Sequence, residues 1–225
     1  MGVSIHSVPL GFCKCYLIKD KGVVMIDGGA PNKAKAFLKY AKQFAIDPKE
    51  IQLIILTHGH WDHIASVKEI KEITGAKIVM HHREKEWLEK PLKPSPPGAT
   101  VWGHILSTLL RPLHRFVHFP KAQVDIVVPD DGLSLVEYGI QGEVIHTPGH
   151  SPGSISVLLE SGDVFVGDLA MNRFPLRLRP GLPIFADDID RVKQSWKVLL
   201  DRGARIVYPA HGKPFPADRI AATDG

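Results

Sequence analysis

The sequence has few cysteines, no long apolar run and little net charge. Its 225 residues contain two cysteines, Cys13 and Cys15, which are too few for a disulfide framework. They lie two positions apart in an apparent strand, so both side chains point to one face and are poorly placed to bond to each other. We therefore expect both to be reduced packing residues. No apolar run approaches the roughly 18 residues of a membrane span, so we expect no stable membrane insertion.

The charge balance and composition exclude further classes of protein. Lys and Arg total 28 and Asp and Glu total 24, a net charge of +4, which is too small by itself to predict a nucleic-acid partner. With 44% hydrophobic and 23% charged residues, the composition is that of a globular protein rather than a disordered or collagen-like one. The first 12 residues (MGVSIHSVPLGF) lack the basic start and apolar centre of a secretory signal. We therefore expect a cytoplasmic protein with a single domain over residues 1–225.

Strand patterns alternate with amphipathic helical patterns in both halves of the chain. This alternation predicts two sheets that pack together, with helices on their outer faces. The predicted helices cover 32–45, 65–74, 83–90 and 188–202, the last one capped by Asp187. The predicted strands cover 11–18, 22–26, 51–57, 77–80, 124–128, 133–137, 142–146, 154–160, 163–167 and 205–208.

The segment 91–120 differs from the rest of the chain. It begins with a proline-rich stretch, contains no acidic residue and is rich in large apolar side chains. Pro112 is expected to divide it into two short helical pieces. We interpret the segment as an insertion over the main body. It is either a lid on a substrate site or a helical hairpin that packs on the core or on a second copy in a homodimer. A role at a membrane surface is a weaker third alternative.

A dense cluster of ionisable residues follows the apolar strand at 51–57. It is HGHWDH, from His58 to His63. In extended backbone His58 and His60 point the same way, so both imidazoles can close on one ion. Asp62 and His63 begin the next turn and can reach a second ion. Imidazole and carboxylate suit Zn²⁺, and also Fe or Mn.

Three more strand patterns end in a candidate ligand. The strand 142–146 leads to His150, the strand 163–167 leads to Asp168, and the strand 205–208 leads to His211. Neighbouring Gly and Pro residues predict tight loops, which hold a ligand with little conformational freedom. Each fragment is weak by itself, but together and in this order they predict a metal site.

These fragments resemble a known family. HGHWDH, TPGHSPG, VGDL and YPAHG are similar to the metal-binding motifs of the metallo-β-lactamase-fold hydrolases, and closer to the glyoxalase II-like branch than to the antibiotic-degrading enzymes. The resemblance covers most of the chain, from MIDGG at 25–29 to PAHGKPF at 209–215. It implies an α+β fold, an αββα sandwich of two mixed sheets with helices on both outer sides and the site at one edge.

The resemblance also implies a ligand set for two divalent ions, most simply Zn²⁺, with a hydroxide between them. One ion would be held by His58, His60 and His150, the other by Asp62, His63 and His211, and Asp168 would bridge both.

The chemistry of such a site follows from general principles. Two cations lower the pKa of a shared water from near 16 to about 7, and one of them stabilises the developing oxyanion. We expect Asp62 to be catalytic, because it can hold the nucleophile while ligating and can pass a proton to the leaving group. Asp27 is expected to order nearby loops or ligands rather than to touch metal.

The substrate is indicated by two features. The apolar insertion favours an acyl or otherwise lipophilic group. Arg173 and Arg177 follow the predicted bridging aspartate and could hold a carboxylate or phosphate of the substrate. We therefore expect a hydrolase of a small ester, thioester or lactone. Lactone-hydrolysing relatives usually carry tyrosine where this chain has Met171, which disfavours an acyl-homoserine lactonase.

Other functions remain as alternatives. A persulfide dioxygenase-like enzyme would keep the motif but use one iron. A phosphodiesterase or nuclease usually adds a large domain or exosite, and the charge here forms no basic stripe. A flavodiiron enzyme would carry Glu where this chain has His60, and a non-catalytic binding protein would lack a ligand position.

The remaining histidines lack such context, so we expect surface or core positions for them, with His146 able at most to contact a loop of the site. They are His6, His81, His82, His104, His114, His118 and His146.

Overall fold

The computed structural model describes residues 2–174, 176–177 and 179–221, with the side chains of 111, 113, 114 and 221 left aside. The first of two six-stranded sheets is formed by the first half of the chain. Its first three strands pair antiparallel and the remaining pairs are parallel. In spatial order they are β1 (Ser4–Pro9), β2 (Lys14–Lys19), β3 (Val23–Ile26), β4 (Ile51–Ile55), β5 (Lys77–His81) and β6 (Ile126–Val128).

The second sheet is formed by the second half of the chain. It is mixed as well, because β10 and β11 run parallel while the other pairs are antiparallel. Its strands are β7 (Leu133–Ser134), β8 (Gly142–His146), β9 (Ile155–Leu159), β10 (Asp163–Met171), β11 (Ile206–His211) and β12 (Phe215–Pro216), and they lie side by side in that order.

Seven α-helices and three 3-10 helices are found among the described residues. The 3-10 helices are Pro48–Glu50, Arg111–Phe116 and Val136–Tyr138. The α-helices are α1 (Ala34–Gln43), α2 (Trp61–Ile64), α3 (Val67–Thr74), α4 (Lys85–Glu89), α5 (Val101–Leu110), α6 (Ile189–Asp201) and α7 (Asp218–Ala221). None of them has the length and apolar character that crossing a membrane requires.

The alternation of side chains along the strands builds a layered core. On β3, Val24 and Ile26 face the second sheet, whereas Val23 and Met25 face the helices of the first sheet. Both faces of β3 are therefore buried, as expected for a strand covered on two sides. Cys13 and Cys15 share the helix-side layer, are both free thiols, and so point to one face as predicted.

Helix α6 covers the outer face of the second sheet. Val192, Trp196 and Leu199 recur at helical spacing and are buried against it. The Trp196 indole donates to the Leu169 carbonyl on β10 at 3.0 Å. The helix cap is Asp188, whose carboxylate accepts from the Arg191 backbone N–H at 3.0 Å, so the prediction of Asp187 as the cap was wrong by one residue.

Several elements differ from the sequence-based expectation. β1 was not predicted, because an edge strand with one partner carries only a weak apolar pattern. The predicted strand at 133–137 is two residues of strand followed by a 3-10 helix that ends at Gly139, whose φ is 71°. The strands predicted at 163–167 and 205–208 extend to Met171 and His211, so their candidate ligands lie on the strands themselves.

The fold class is confirmed. Two mixed sheets pack face to face through a shared apolar layer, with helices on both outer sides. This is the α+β, αββα arrangement that the resemblance implied.

Candidate metal centre

Four separate stretches of chain meet at one edge of the sandwich. His58 follows β4, His150 lies between β8 and β9, Asp168 is on β10, and His211 ends β11. The two sheets are joined at this edge by the Ile155 backbone N–H, which donates to the Thr57 carbonyl at 2.8 Å. The predicted convergence of these residues is therefore observed.

Gly167 permits the close approach of β10 to this edge. Its φ is 53°, and a Cβ atom built on it would lie 2.4 Å from Oγ1 of Thr57. Only glycine accepts both constraints without strain. The glycine before Asp168 is thus required by the position of the aspartate next to His58.

One group of ligand atoms comes from three buried histidines. His58, His60 and His150 each offer a ring nitrogen, and these atoms lie within 4.8 Å of one another. His60 Nδ1 is 3.0 Å from His150 Nε2. These three residues could hold one metal ion.

A second group comes from Asp62, His63 and His211. Its ligand atoms also lie within 4.8 Å of one another. Oδ2 of Asp62 is 3.8 Å from His63 Nε2 and 3.4 Å from His211 Nε2. These residues could hold another ion.

Asp168 lies between the two groups. Its Oδ1 is 3.4 Å from His63 Nε2 and 3.3 Å from His211 Nε2, in the second group. Its Oδ2 is 3.8 Å from His150 Nε2, in the first. One carboxylate therefore faces both candidate positions.

Hydrogen bonds on the far side of the rings orient three of the histidines. Nδ1 of His150 lies 2.8 Å from the Phe185 carbonyl, and Nδ1 of His211 lies 3.1 Å from the Phe12 carbonyl. Nδ1 of His63 lies 2.8 Å from Oδ2 of Asp27. Because these oxygens only accept, each Nδ1 donates, and in the neutral ring Nε2 presents its lone pair to the site.

Unsatisfied buried atoms show that the site suits cations. Nε2 of His58, Nε2 of His63 and Oδ1 of Asp168 are buried without a hydrogen-bond partner in the described part of the chain. Buried polar atoms are nearly always paired, and lone pairs that face one another repel unless a cation lies between them. The donor set therefore fits divalent metal.

The pKa values of the histidines differ between the two groups. Burial, together with the neighbouring rings, moves the pKa of His58 well below its usual value and lowers that of His60 to about 3. The pKa of His150 is lowered mainly by burial. The first group is therefore neutral at pH 7, with its lone pairs free for a metal.

In the second group the carboxylates outweigh burial. Burial by itself lowers the pKa of His63, but Asp27, Asp168 and Asp62 together raise it well above the usual value. Burial likewise opposes a raised pKa at His211, yet Asp168 and Asp62 bring it to about 10. These carboxylates favour positive charge here, whether it is carried by protons or by a metal ion.

Asp27 orders the cluster from outside. Its carboxylate accepts from the Thr57 backbone N–H at 2.8 Å and from the Thr57 hydroxyl at 3.0 Å, in addition to its contact with His63. It is buried and has a φ of 61°. Its contacts match the expected role of orienting a ligand.

Glu84 was missed in the sequence. It is fully buried, and its carboxylate accepts from Gly59 N–H at 2.6 Å and from Gly153 N–H at 2.7 Å. It thus joins the loop of His58–His63 to the loop of His150. Burial raises its pKa to about 7 despite these bonds. Within the charged stretch at 83–90 it has the pattern of a solvent-exposed residue, so no local signal identified it.

The guanidinium groups of the two arginines predicted to bind substrate donate to backbone carbonyls. The Arg173 guanidinium donates to the Phe12 carbonyl, the same oxygen that faces His211. The Arg177 guanidinium donates to the Leu182 carbonyl at 2.8 Å, and burial lowers its pKa.

The insertion is attached beside the first group. The Ala99 backbone N–H donates to the Ile184 carbonyl at 2.8 Å, next to Phe185, whose carbonyl faces His150. On α5, a Cβ built at Gly103 would lie 2.0 Å from the Ile184 carbonyl oxygen, so glycine is required for this approach. Large apolar side chains of the insertion are exposed: Val101, Trp102, Ile105, Leu109, Leu110 and Phe116.

The other histidines only partly follow expectation. His6 stacks on Phe44, and His104 and His118 are exposed. The side chain of His114 lies outside the described ones. In contrast, two adjacent histidines at the end of β5 and one at the end of β8 lie next to Asp130, a grouping that the sequence did not indicate: His81, His82 and His146.

Two bacterial relatives are similar in sequence to this chain over about two thirds of its length or more. The probable metallo-hydrolase YflN of Bacillus subtilis (strain 168) is 32% identical over 171 residues, which is 72% of this chain and 62% of YflN. The probable metallo-hydrolase YqgX of the same organism is 30% identical over 157 residues, 68% of this chain and 64% of YqgX. The alignments thus span less than two thirds of either relative.

Solved structures share the fold. The B3 metallo-beta-lactamase BLEG-1 matches with a TM-score of 0.71 at 23% identity, over 96% of this chain and 95% of that one. The archaeal metallo-beta-lactamase superfamily protein ST1585 of Sulfolobus tokodaii matches with a TM-score of 0.70 at 23% identity, over 97% and 83%. At these identities the likeness concerns the fold alone.

The family model of the metallo-beta-lactamase superfamily matches residues 8–211, which include all seven predicted ligands. Together with relatives named probable metallo-hydrolases, this match supports the prediction of a metal-dependent hydrolase. The chain belongs to the metallo-β-lactamase superfamily.

Proposed function

We propose that this protein is a dinuclear metal-dependent hydrolase of a small ester, thioester or lactone, in the glyoxalase II-like branch of its superfamily. The observation that carries the proposal is the position of Asp168. Its two oxygens face different ligand groups, at 3.3 Å from His211 Nε2 and 3.8 Å from His150 Nε2. A carboxylate so placed suits a bridge between two cations.

In this proposal each group of ligands holds one divalent ion. Zn²⁺ is our first choice, because imidazole and carboxylate are its usual ligands, although Fe and Mn accept the same donors. His58, His60 and His150 would hold the first ion, Asp62, His63 and His211 would hold the second, and Asp168 would be shared by both.

The bound ions would lower the pKa of a shared water towards about 7 and polarise the substrate carbonyl. The remaining catalytic group is a side chain of the protein. Asp62 is our candidate catalytic residue, because Oδ2 faces His63 and His211 while 17% of the side chain is exposed. Its second oxygen would accept a hydrogen bond from the attacking water, take up the proton that this water releases, and pass that proton to the leaving group.

The surroundings of the site suggest the substrate class. Phe12 is 62% exposed and packs edge-to-face with Trp61, next to Asp62. The insertion that carries the exposed apolar residues is hydrogen-bonded to Ile184, next to Phe185, whose carbonyl faces His150. We propose that these surfaces contact an acyl group, with the insertion as a lid, and that Arg173 and Arg177 bind a carboxylate of the substrate.

We further propose that the chain acts as one cytoplasmic domain, in which the insertion can also form a homodimer contact. The free, buried thiols of Cys13 and Cys15, 3.9 Å apart, support a reducing compartment.

Reconstitution tests this function. The protein is stripped with a chelator, titrated with Zn²⁺, Fe²⁺ or Mn²⁺, and assayed on thioesters, esters, lactones and phosphodiesters. We expect thioester or ester turnover to rise with Zn²⁺ and to level off at two equivalents per chain.

Two results would contradict it. Activity that levels off at one iron per chain, with oxygen uptake on a persulfide, would identify a dioxygenase. Turnover of phosphodiesters in preference to esters would identify a phosphodiesterase.

A further inference from the structure

A second cluster of metal-binding side chains lies outside the centre described above. His81 ends β5, His146 ends β8, and Asp130 follows β6. Each offers one ligand atom, and these atoms lie within 4.8 Å of one another. We propose that this cluster is a third metal site, which binds a transition-metal ion such as Zn²⁺ or Ni²⁺, the ions that suit imidazole ligands.

The orientation of His146 supports a cation here. Its Nε2 lies 3.0 Å from the Pro152 carbonyl, which only accepts, so Nε2 carries the hydrogen. In the neutral ring Nδ1 therefore presents a lone pair, 3.8 Å from Oδ1 of Asp130. Two acceptors that face each other repel unless a positive ion lies between them.

The orientation of His81 completes the set. The residue is fully buried, and its Nε2 lies 3.2 Å from Oδ1 of Asp130 but makes no hydrogen bond to the described residues. Its ring stacks on that of His146 with centroids 4.1 Å apart and planes 14° apart. Two parallel rings thus direct nitrogens at one carboxylate oxygen.

Both rings are available to a metal at neutral pH. Burial is the main cause that lowers the pKa of His81 to about 4 and lowers that of His146 as well. Binding through Nε2 places the ring proton of His81 on Nδ1, which lies 3.4 Å from the Arg83 backbone N–H. That contact is at the long limit of a hydrogen bond, so its loss costs little.

Asp130 divides its oxygens between two kinds of partner. Oδ2 pairs with the Arg83 guanidinium at 2.6 Å, whereas Oδ1 faces the histidines. His82 Nε2 is 2.8 Å from Oδ1 and can serve as a fourth ligand. The Asp130 side chain is 51% exposed, so ions and water can enter. We expect weaker binding than at the buried centre, because the guanidinium repels a cation.

An ion at this cluster would join two loops of the main site. Glu84 N–H donates to the His81 carbonyl at 3.1 Å, and Glu84 also holds Gly59 and Gly153. His146 holds Pro152, in the loop of His150. We therefore infer a stabilising role for this ion rather than a role in the hydrolytic step.

Metal counting by difference tests the proposal. The full-length wild type and the variants Asp130→Asn and His146→Gln are equilibrated with Zn²⁺ and their metal content per chain is measured. We expect wild type to hold one more ion than either variant at a free Zn²⁺ concentration that just fills the wild-type site. The matched control His104→Gln, which removes an exposed histidine of α5, should hold as many ions as wild type.

Affinity and stability give two further readings. Asp130→Asn should weaken binding of the extra ion at least about tenfold, as loss of metal partners commonly does, and Arg83→Gln should strengthen it. Added Zn²⁺ should raise the Tm of wild type by more than that of Asp130→Asn.

Equal metal content in wild type, Asp130→Asn and His146→Gln at that concentration would overturn the proposal and leave Asp130 as an ion-pair partner of His82 and Arg83 only.

Anomalous scattering from Zn²⁺-soaked wild-type crystals tests the site without any variant. A peak between His81, His146 and Asp130 supports the site, and its absence at saturating Zn²⁺ rejects it. Neither the metal content nor the anomalous peak depends on hydrolytic activity, so this proposal and the proposed hydrolase function can fail separately.

Discussion

The metal centre and the insertion at 91–120 expose opposite kinds of groups. In the centre, polar side chains are buried, as His63 and Asp168 show with 0% and 7% exposure. In the insertion, apolar side chains are exposed, as Val101 and Leu109 show with 79% and 64%. Each region departs from the usual pattern of a folded domain: the centre suits cations, and the insertion presents apolar side chains to the solvent.

The two regions differ in how firmly the fold holds them. Buried polar groups are costly unless they are paired, and the centre pairs them through Asp27, Glu84 and backbone carbonyls. The insertion is attached through backbone hydrogen bonds such as Ala99 to Ile184 and Ala186 to Pro97, and α5 buries only Gly103. Few buried apolar contacts favour local opening at low cost. The centre is thus preorganised, whereas the insertion can open locally at a lower cost in free energy.

The largest effect is expected from Asp168→Asn. This change removes the charge that faces both ligand groups, so we expect kcat/KM to fall by well over about 100-fold and the metal content to drop. Steady-state kinetics and metal analysis measure both. The control is Asp163→Asn, at the other end of β10, which should keep activity and metal. A fully active, metal-loaded Asp168→Asn protein would show that neither ligand group needs the Asp168 carboxylate.

A smaller loss is expected from Asp27→Asn. The amide would place a donor against Nδ1 of His63, which already carries a hydrogen, so the ring would turn or change tautomer. We expect the affinity for Zn²⁺ to fall by about 10–100-fold, measured by chelator competition. Thr57→Val removes the hydroxyl contacts to Asp27 and to Nδ1 of His58 but leaves the contact between Asp27 and His63, so we expect a weaker effect. If both variants weakened binding equally, orientation of His63 would not be the cause.

Glu84→Gln tests the joint between the two ligand loops. A glutamine can accept through one oxygen only, so one of the N–H groups of Gly59 and Gly153 loses its partner. We expect the free energy of unfolding to fall by about 1–3 kcal/mol, measured by urea denaturation. The matched control is Glu86→Gln on α4, whose exposed carboxylate pairs with Lys90 at 2.9 Å; this change should alter the free energy of unfolding little.

The same variant carries a pH prediction. In the folded protein burial raises the pKa of Glu84 to about 7, above its ordinary value of 4.5. Between these values the folded state binds more protons than the unfolded state, so this contribution is full below about pH 4.5 and is lost as pH rises through 7. The stability of wild type relative to Glu84→Gln should therefore decrease from pH 5 to pH 8. A constant difference would show that Glu84 stays ionised throughout.

The smallest change in stability is expected in the insertion. Leu109→Ser alters a side chain that is already exposed, so the free energy of unfolding should stay within about 0.5 kcal/mol of wild type. If the insertion is a lid, KM should rise for long-chain acyl thioesters but not for acetyl thioesters. Leu38→Ser, an exposed leucine on α1, is the control. Dissociation of a dimer in sedimentation with unchanged KM would instead show that a second copy covers α5.

Much of the fold could be predicted from local patterns. The β-branched run at 51–57 and the stripe of Val192, Trp196 and Leu199 are strong periodic signals, and both elements formed where predicted. β1 escaped prediction because pairing with β2, rather than its own apolar pattern, makes it a strand. The prediction of a strand over 133–137 was wrong because a 3-10 turn ending at Gly139 outweighed the alternating pattern of the segment.

The candidate ligands could be predicted because each follows an apolar strand pattern in the sequence and carries a side chain rarely placed in a core. The groups that orient these ligands could not be predicted. The carbonyls of Phe12 and Phe185 orient His211 and His150, yet a backbone carbonyl leaves no mark in a sequence. Glu84 looks solvent-exposed in its charged helix, and only the packing of both halves shows that it is buried.

The amino-acid sequence by itself determined the layered class of the fold and the seven side chains able to meet at one edge, since periodicity and strand-end motifs are local properties. Only the tertiary structure decided which lone pairs face each other, which carboxylate stands between two groups, and that His81, Asp130 and His146 form another cluster. The physical reason is that metal-binding geometry depends on distances between residues far apart in the chain, and these distances are set by how the two sheets pack.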